Sequence, residues 1–247
     1  MSWSPAQYER FRDERKQPFL DLTALVEKRP RMRVADLGCG TGELTRELHQ
    51  TLGAAETLGI DNSETMLLKS GHFQDELLRF ERGDIEAFVS DRPYDLIFSN
   101  AALHWVPDHE RLLTRLTGFL SPAGQLAIQM PANDDHPSHV VAAAVAAEFG
   151  AAPRADHLLP LERYAALLHH LGFARQHVRM QVYAHLLPSA ADVVEWVRGA
   201  LLTDYEARLG DAFDGFLKSY RERLAAALPD ERPFFYTYKR ILLWGAR

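Results

Sequence analysis

The stretch Val34-Ala35-Asp36-Leu37-Gly38-Cys39-Gly40-Thr41-Gly42-Glu43 constrains the fold more than any other part of the chain. An apolar run over Arg33–Leu37 reads as a buried strand. The alternating glycines after it read as a tight turn, and Glu43–Leu52 as the helix that follows. Glycine has no Cβ, so the turn backbone can pass close to a ligand. The unpaired N–H groups at the helix start favour an anionic or hydrogen-bond-accepting group. Such a unit belongs to an open α/β sheet, in which ligands bind beyond the carboxyl ends of the strands.

The glycine spacing selects among nucleotide cofactors. A dinucleotide loop needs G-x-G-x-x-G, with the pyrophosphate on the helix terminus. This chain has G-x-G-x-G at Gly38, Gly40 and Gly42, and Glu43 stands where the third dinucleotide glycine belongs. Asp36 lies two residues before Gly38. A carboxylate there repels a pyrophosphate and attracts an ammonium. S-adenosylmethionine (SAM) carries an amino-acid ammonium and no phosphate, so SAM is the expected cofactor. A nicotinamide-dependent oxidoreductase is the disfavoured alternative.

About twenty residues further on, Glu56-Thr57-Leu58-Gly59-Ile60-Asp61 reads as a second strand ending in an acid, the place for a contact to ribose hydroxyls. Asp61, Asn62 and Ser63 are also good helix caps before Glu64-Thr65-Met66. The acid can end the strand while Asn62 or Ser63 caps the helix, with Met66 toward the adenine side. Leu77–Arg82 reads as a third strand. Asp84 beyond it is either a cap or the acceptor for an adenine amino group, with Ile85 against the ring. Tyr94–Asn100 is apolar enough for a central parallel strand. The loop Ala101–His109 leaves its carboxyl end and brings His104 and Trp105 forward as substrate-side candidates. Each also has an ordinary reading, as a surface histidine and a core tryptophan.

The rest of the chain continues the alternation. Residues 3–28 read as a helical arm, in which Tyr8, Phe11 and Arg15 follow helical spacing. They either pack on the sheet or close over the cofactor's methionine end. A helix over Glu110–Leu120, a turn at Ser121–Gly124 and a strand over Gln125–Met130 come next. Helices are expected over Pro137–Phe149, Pro160–Leu171, Ala190–Leu202 and Ala212–Leu228. Strands are expected over Gln176–Leu186 and Phe234–Trp244. The βα alternation gives a doubly wound, mostly parallel sheet with an antiparallel edge. Helical insertions at about 132–172 and 189–230 would cap the site and exclude water. The whole of 1–247 reads as one α/β domain with residues 1–30 as its arm.

Composition narrows the function classes. The 247 residues are 47% hydrophobic, ample for a full core, and carry a net charge of −6. No long basic run provides a nucleic-acid footprint. No apolar run approaches the roughly 18–20 residues of a membrane span, and the first residues lack a signal pattern. The one cysteine, Cys39, cannot form an intrachain disulfide, which fits a reducing compartment. The expectation is a soluble, cytoplasmic, monomeric protein. Asn133-Asp134-Asp135-His136 offers few ligands, and no metal is expected.

Together these residues resemble the trans-aconitate 2-methyltransferases, a family of class I SAM-dependent enzymes. The matching stretches include Trp3, Pro5, Tyr8, Phe11 and Arg15, the loop Ala35–Gly42, and Gly59-Ile60-Asp61. They continue through Asp95–Ala101, Leu103-His104-Trp105-Val106-Pro107-Asp108-His109 and Leu126–Pro131, then Pro137-Ser138-His139, Pro188-Ser189 and Glu195-Trp196-Val197. The resemblance spans nearly the whole chain. It implies a seven-stranded sheet with the last strand antiparallel, SAM as methyl donor, S-adenosylhomocysteine as product and a small acid as acceptor. The implied cofactor set is Tyr8, Arg15, Asp36, Gly38, Cys39, Gly40, Gly42, Asp61, Asn62, Met66, Asp84, Ile85, Asn100, Ala101 and Trp105. The substrate candidates are His104, Met130, Asn133, Arg198, Tyr205, Tyr236 and Arg240, and the catalytic positioning pair is His104 with Trp105. Two positions depart from the family pattern: His104 replaces a glutamine, and Thr203-Asp204 replace an Arg-Pro pair.

A carboxylate acceptor has a pKa near 4 and is already ionised at neutral pH. No general base is then needed. A phenol, hydroxyl or amine acceptor would instead make His104 a plausible base. A SAM-binding protein without transfer activity is the non-enzymatic alternative.

Overall fold

The computed structural model describes residues 12–247. Helix α1 spans Arg12–Leu25; β1 spans Arg33–Leu37; α2, Glu43–Leu52; β2, Glu56–Asp61; α3, Glu64–Ser70; β3, Leu78–Arg82 and β4, Tyr94–Asn100. Helix α4 spans His109–Thr117; β5, Leu120–Pro131; α5, Pro137–Glu148; α6, Leu161–His170 and β6, Arg175–Leu187. Helix α7 spans Asp192–Val197; α8, Thr203–Leu209; α9, Phe213–Ala227 and β7, Phe234–Ala246.

The seven strands form one sheet in the order β3-β2-β1-β4-β5-β7-β6. β1 pairs in parallel with β2 and β4, β2 with β3, and β4 with β5. The last strand, β7, runs antiparallel to β5, as expected, and lies between β5 and β6. The order in which successive strands are added reverses between β1 and β4, the switch point where open sheets bind ligands.

Local chemistry sets the element ends. Gly42 and Gly53 bracket α2 in left-handed conformations. Ser63 caps α3 by accepting from the Met66 N–H. Asp108 caps α4 through the Arg111 N–H at 3.1 Å, and Gly118 ends it short of the expected Leu120. Ser121–Gly124 bulge from β5: Tyr94 pairs with Leu120, yet Leu96 pairs with Gln125. The expected helix from Ala190 begins at Asp192. It passes through a π turn at Arg198–Leu202 and continues as α8, which the sequence reading did not anticipate. The π turn sits where Thr203 Oγ1 donates to the Arg198 carbonyl at 2.9 Å.

The contacts divide the chain into two compact units. The sheet unit comprises Arg15–Pro131, His157–Gln181 and Arg240–Arg247. The helical unit includes Ala132–Asp156 and Val182–Lys239. The insertion expected over 132–172 is thereby split, because α6 belongs with the sheet unit. There Tyr164 of α6 hydrogen-bonds His109 of α4. One core of the sheet unit gathers Phe19, Leu22, Val34, Leu48, Phe98, Ala127 and Trp244. The helical unit has its own core of Trp196, Tyr205, Phe216, Tyr220 and Tyr236, among others. Among the described residues, no helix is long and apolar enough to cross a membrane.

Candidate functional site

The β1–α2 turn is built from its glycines upward. Gly38, Gly40 and Gly42 all have positive φ, a conformation that side chains make costly. A Cβ on Gly38 would lie 2.1 Å from the Ala102 Cβ, so the loops leaving β1 and β4 close directly on each other. Among the described residues, a Cβ on Gly40 would meet nothing within 4 Å.

The turn's amides point into the protein. Gly38 and Cys39 N–H both donate to the Ile60 carbonyl, at 2.7 and 3.0 Å. Gly40 N–H donates to Asp61 Oδ2 at 2.9 Å, and Gly42 N–H to the Cys39 carbonyl at 3.1 Å. A pyrophosphate cradle needs such amides facing the ligand. With two carboxylates beside the turn, this one does not fit a dinucleotide.

It fits a cation. Asp36 is 4% exposed at the end of β1, and Thr45 Oγ1 donates to its Oδ2 at 2.6 Å. Burial pushes its carboxyl up, the Thr45 hydrogen bond opposes this, and the Asp61 charge adds to it, leaving the pKa at about 7. A buried carboxylate this uncomfortable in its charged form gains strongly from a bound ammonium. The Cys39 thiol is held far above its ordinary value by burial and by the charges of Asp36 and Asp61, so it stays protonated.

Asp61 accepts from Gly40 and, through Oδ1, from the Ser63 N–H at 2.8 Å. A carboxylate has further lone pairs, and Asp61 is only half-buried, so ribose hydroxyls fit it. Met66 is buried and Asn62 exposed. Asp84 is exposed and caps the turn Ile85–Ala87 by accepting from the Glu86 N–H at 2.7 Å. The Ile85 side chain reaches 3.8 Å from the Cβ position of Gly38, which brings the β3 loop to the same turn. Tyr8 lies outside the described residues, as does the side chain of Arg15.

The loop after β4 is strained and anchored. Ala101 has φ 58, a conformation that costs a non-glycine residue about 1 kcal/mol or more. Its N–H is held by the Gln129 carbonyl at 2.9 Å. The short helical turn Leu103–Trp105 follows, with the His104 and Trp105 rings 4.8 Å apart and His104 buried. His109 Nε2–H donates to the Leu103 carbonyl at 3.0 Å, which leaves Nδ1 as acceptor from the Tyr164 hydroxyl. The Tyr164 oxygen accepts in turn from the Leu159 N–H at 3.2 Å. His104 is thus presented by a buried relay that no local motif announced.

A row of polar side chains crosses this edge of the sheet unit. Asp36 is in register with Phe98, Asn100 with Gln129, and Gln129 with Leu242, two residues from Arg240. Alternation along the strands places Asp36, Asn100, Gln129 and Arg240 on one face. Arg240 is buried and donates from a guanidinium nitrogen to Gln129 Oε1 at 3.3 Å. Met130 is buried on the opposite face. Gln129 was not among the expected site residues; its signal was one glutamine inside the otherwise apolar Leu126–Met130.

The remaining candidates belong to the helical unit. Asn133 is buried, with Oδ1 accepting from the Lys239 N–H at 3.1 Å. Tyr236 is buried among the rings of His136, His185 and Trp196. Tyr205 is buried against Phe216 in that unit's core, 5.2 Å between ring centres. Arg198 is exposed and lies 3.7 Å from the Glu195 carboxylate. Thr203 and Asp204 have structural partners, the Arg198 carbonyl and Arg208. Among the described residues, no three His, Cys, Asp or Glu side chains converge to hold a metal ion.

Comparison with known proteins adds to this geometry. Residues 28–165 match the family model described as a methyltransferase domain. The chain is 44% identical to the trans-aconitate 2-methyltransferase of Deinococcus radiodurans, covering all of this chain and 99% of that one. The chain belongs to the trans-aconitate 2-methyltransferase family. A second member, from Variovorax paradoxus, is 41% identical over 93% of this chain and 91% of its own. The fold is shared with the S-adenosylmethionine dependent methyltransferase of Mesorhizobium loti, with a TM-score of 0.55 at 23% identity, covering 94% of this chain and 98% of that one. The seven-stranded sheet, with β7 reversed, is the class I methyltransferase fold.

Proposed function

We propose that this methyltransferase moves the methyl group of SAM onto a carboxylate oxygen of trans-aconitate or a close relative, giving a monomethyl ester and S-adenosylhomocysteine. The observation that carries the cofactor half is the buried Asp36 carboxylate, raised to about 7 beside a turn whose Gly38, Cys39, Gly40 and Gly42 amides are already taken. The acceptor follows from the substrate in the names of relatives that match over more than nine-tenths of both chains.

When bound, SAM supplies an activated methyl group on a sulfonium. The protein's residues then have to bind and align. Asp36 holds the ammonium, Asp61 the ribose hydroxyls, and Asp84 with Ile85 the adenine. The backbone at Asn100 and Ala101 would sit near the sulfonium. The acceptor carboxylate arrives ionised, so no residue has to remove a proton. Alignment alone can supply roughly 7–11 kcal/mol of the barrier. His104, Trp105 and Arg240 are the acceptor-side residues of the sheet unit. We read the chain as a single domain that works as a cytoplasmic monomer; its lone cysteine is buried and needs no oxidising compartment.

The test is a transfer assay with methyl-labelled SAM against trans-aconitate, related di- and tricarboxylic acids, phenols and amines. Base-labile label on trans-aconitate supports the proposal. Label only on phenols or amines overturns the acceptor and makes His104 the base.

A further inference from the structure

Gln129 is fully buried, and its two amide ends are treated differently. Oε1 accepts from the Arg240 guanidinium at 3.3 Å. A guanidinium only donates, so this contact decides the amide orientation and turns the NH2 group the other way. That Nε2 is buried and has no hydrogen-bond partner among the described residues. On the neighbouring strand, directly in register, Asn100 Oδ1 is also buried without a partner among the described residues. Leaving a buried amide donor unsatisfied is costly. An apolar residue would fill the strand position as well without that cost, unless a ligand completes the bond.

The position says what kind of ligand. Gln129 and Asn100 are on the face that carries Asp36, and β5 lies two strands from β1, about 10 Å across the sheet. The acidic end of the row receives an ammonium. The far end offers an amide N–H backed by a buried arginine, which matches an anion with oxygen acceptors. We infer that Gln129 Nε2–H, oriented by Arg240, donates a hydrogen bond to a carboxylate of the acceptor acid and so selects acids at this site. Gln129 is a binding residue in this assignment and Arg240 its positioning partner. The assignment rests on the proposed function, because it presumes an acid acceptor.

The experiment measures binding of trans-aconitate by calorimetry in the presence of S-adenosylhomocysteine, together with KM and kcat for transfer. Wild type is compared with Gln129→Met, which removes the donor at similar volume, and Gln129→Glu, which places an acceptor opposite the anion. Circular dichroism and thermal unfolding, measured first, show that each variant is folded. Tenfold or greater weakening for Gln129→Met, more for Gln129→Glu, with S-adenosylhomocysteine affinity unchanged within about twofold, supports the assignment. Unchanged acid affinity in both variants, with wild type active, overturns the assignment and leaves the proposed function standing. Weakened S-adenosylhomocysteine binding with unchanged acid affinity overturns it in favour of a cofactor contact. If wild type neither binds nor methylates any acid, the proposed function falls and this assignment with it.

Discussion

The two ends of the polar row differ in sign and in how they are held together. At the β1 end, two carboxylates, Asp36 and Asp61, sit within a turn whose amides and hydroxyl neighbour all come from residues 36–63. At the β5–β7 end, the glutamine is oriented by an arginine 111 residues away in sequence. The acidic end suits a cation and the donor end an anion. One face of one sheet can therefore hold two differently charged molecules apart in the order that transfer needs. The difference teaches that the acidic cluster is a local property of this fold, whereas the donor end is assembled by long-range register.

The largest expected effect breaks the acidic end. Asp36→Asn should weaken SAM binding by about 100-fold or more, since it removes one partner of a buried charge contact; equilibrium titration checks this. The same variant should stabilise the ligand-free protein at neutral pH. The folded pKa of Asp36, about 7, lies above its unfolded value of 3.8. The folded state therefore binds the proton more tightly, and stability falls as pH rises from about 4 to 7. The full effect is on the order of 4 kcal/mol. Thermal unfolding at pH 5 and pH 8 should show this fall in wild type and lose it in the variant. A pH-independent wild type would remove the argument that Asp36 waits for a cation.

A smaller effect separates two glycines of the same turn. Gly38→Ala meets both the positive φ and the Ala102 side chain 2.1 Å away, so it should cost roughly 3 kcal/mol or more in stability. Gly40→Ala meets only the φ term, about 1 kcal/mol, but projects a methyl into the open space beside Asp61. Its main effect should be on SAM affinity. Denaturation midpoints and SAM titrations on the pair would show whether packing and ligand approach are divided in this way.

Next comes the anchoring of the β4 loop. Tyr164→Phe removes the hydroxyl from His109 and should destabilise by roughly 1–2 kcal/mol. Because the relay holds the Leu103–Trp105 turn, KM for the acid should rise several-fold with SAM affinity unchanged. A stability loss with no change in KM would make the relay purely structural. The smallest effect should come from His104→Gln. A carboxylate acceptor needs no base, so kcat should change by less than about tenfold, whereas a true general base would cost about 100-fold or more.

Legibility follows the same division. The bounds of β1, α2, β2 and β4 were readable because apolar runs, glycines and caps act within a few residues. The Asp36–Gly42 turn was readable for the same reason. The helix after Pro188 was misjudged because Thr203 reaches back to the Arg198 carbonyl and carries the chain through a π turn into α8. The His109–Tyr164 relay and the Arg240–Gln129 contact left only weak traces, one histidine ending a loop and one glutamine in an apolar strand.

By itself, the sequence determined the strand–turn–helix unit, the acid Asp36 before the turn, the second acid at Asp61 and the family. These depend on backbone conformation and charge over short spans, where residue identity decides the energy. Only the tertiary structure decided that β7 inserts beside β5, that Arg240 therefore reaches Gln129, and that the glutamine's donor is left buried without a partner among the described residues. Strand register sets those relations, and it emerges only once the whole sheet packs.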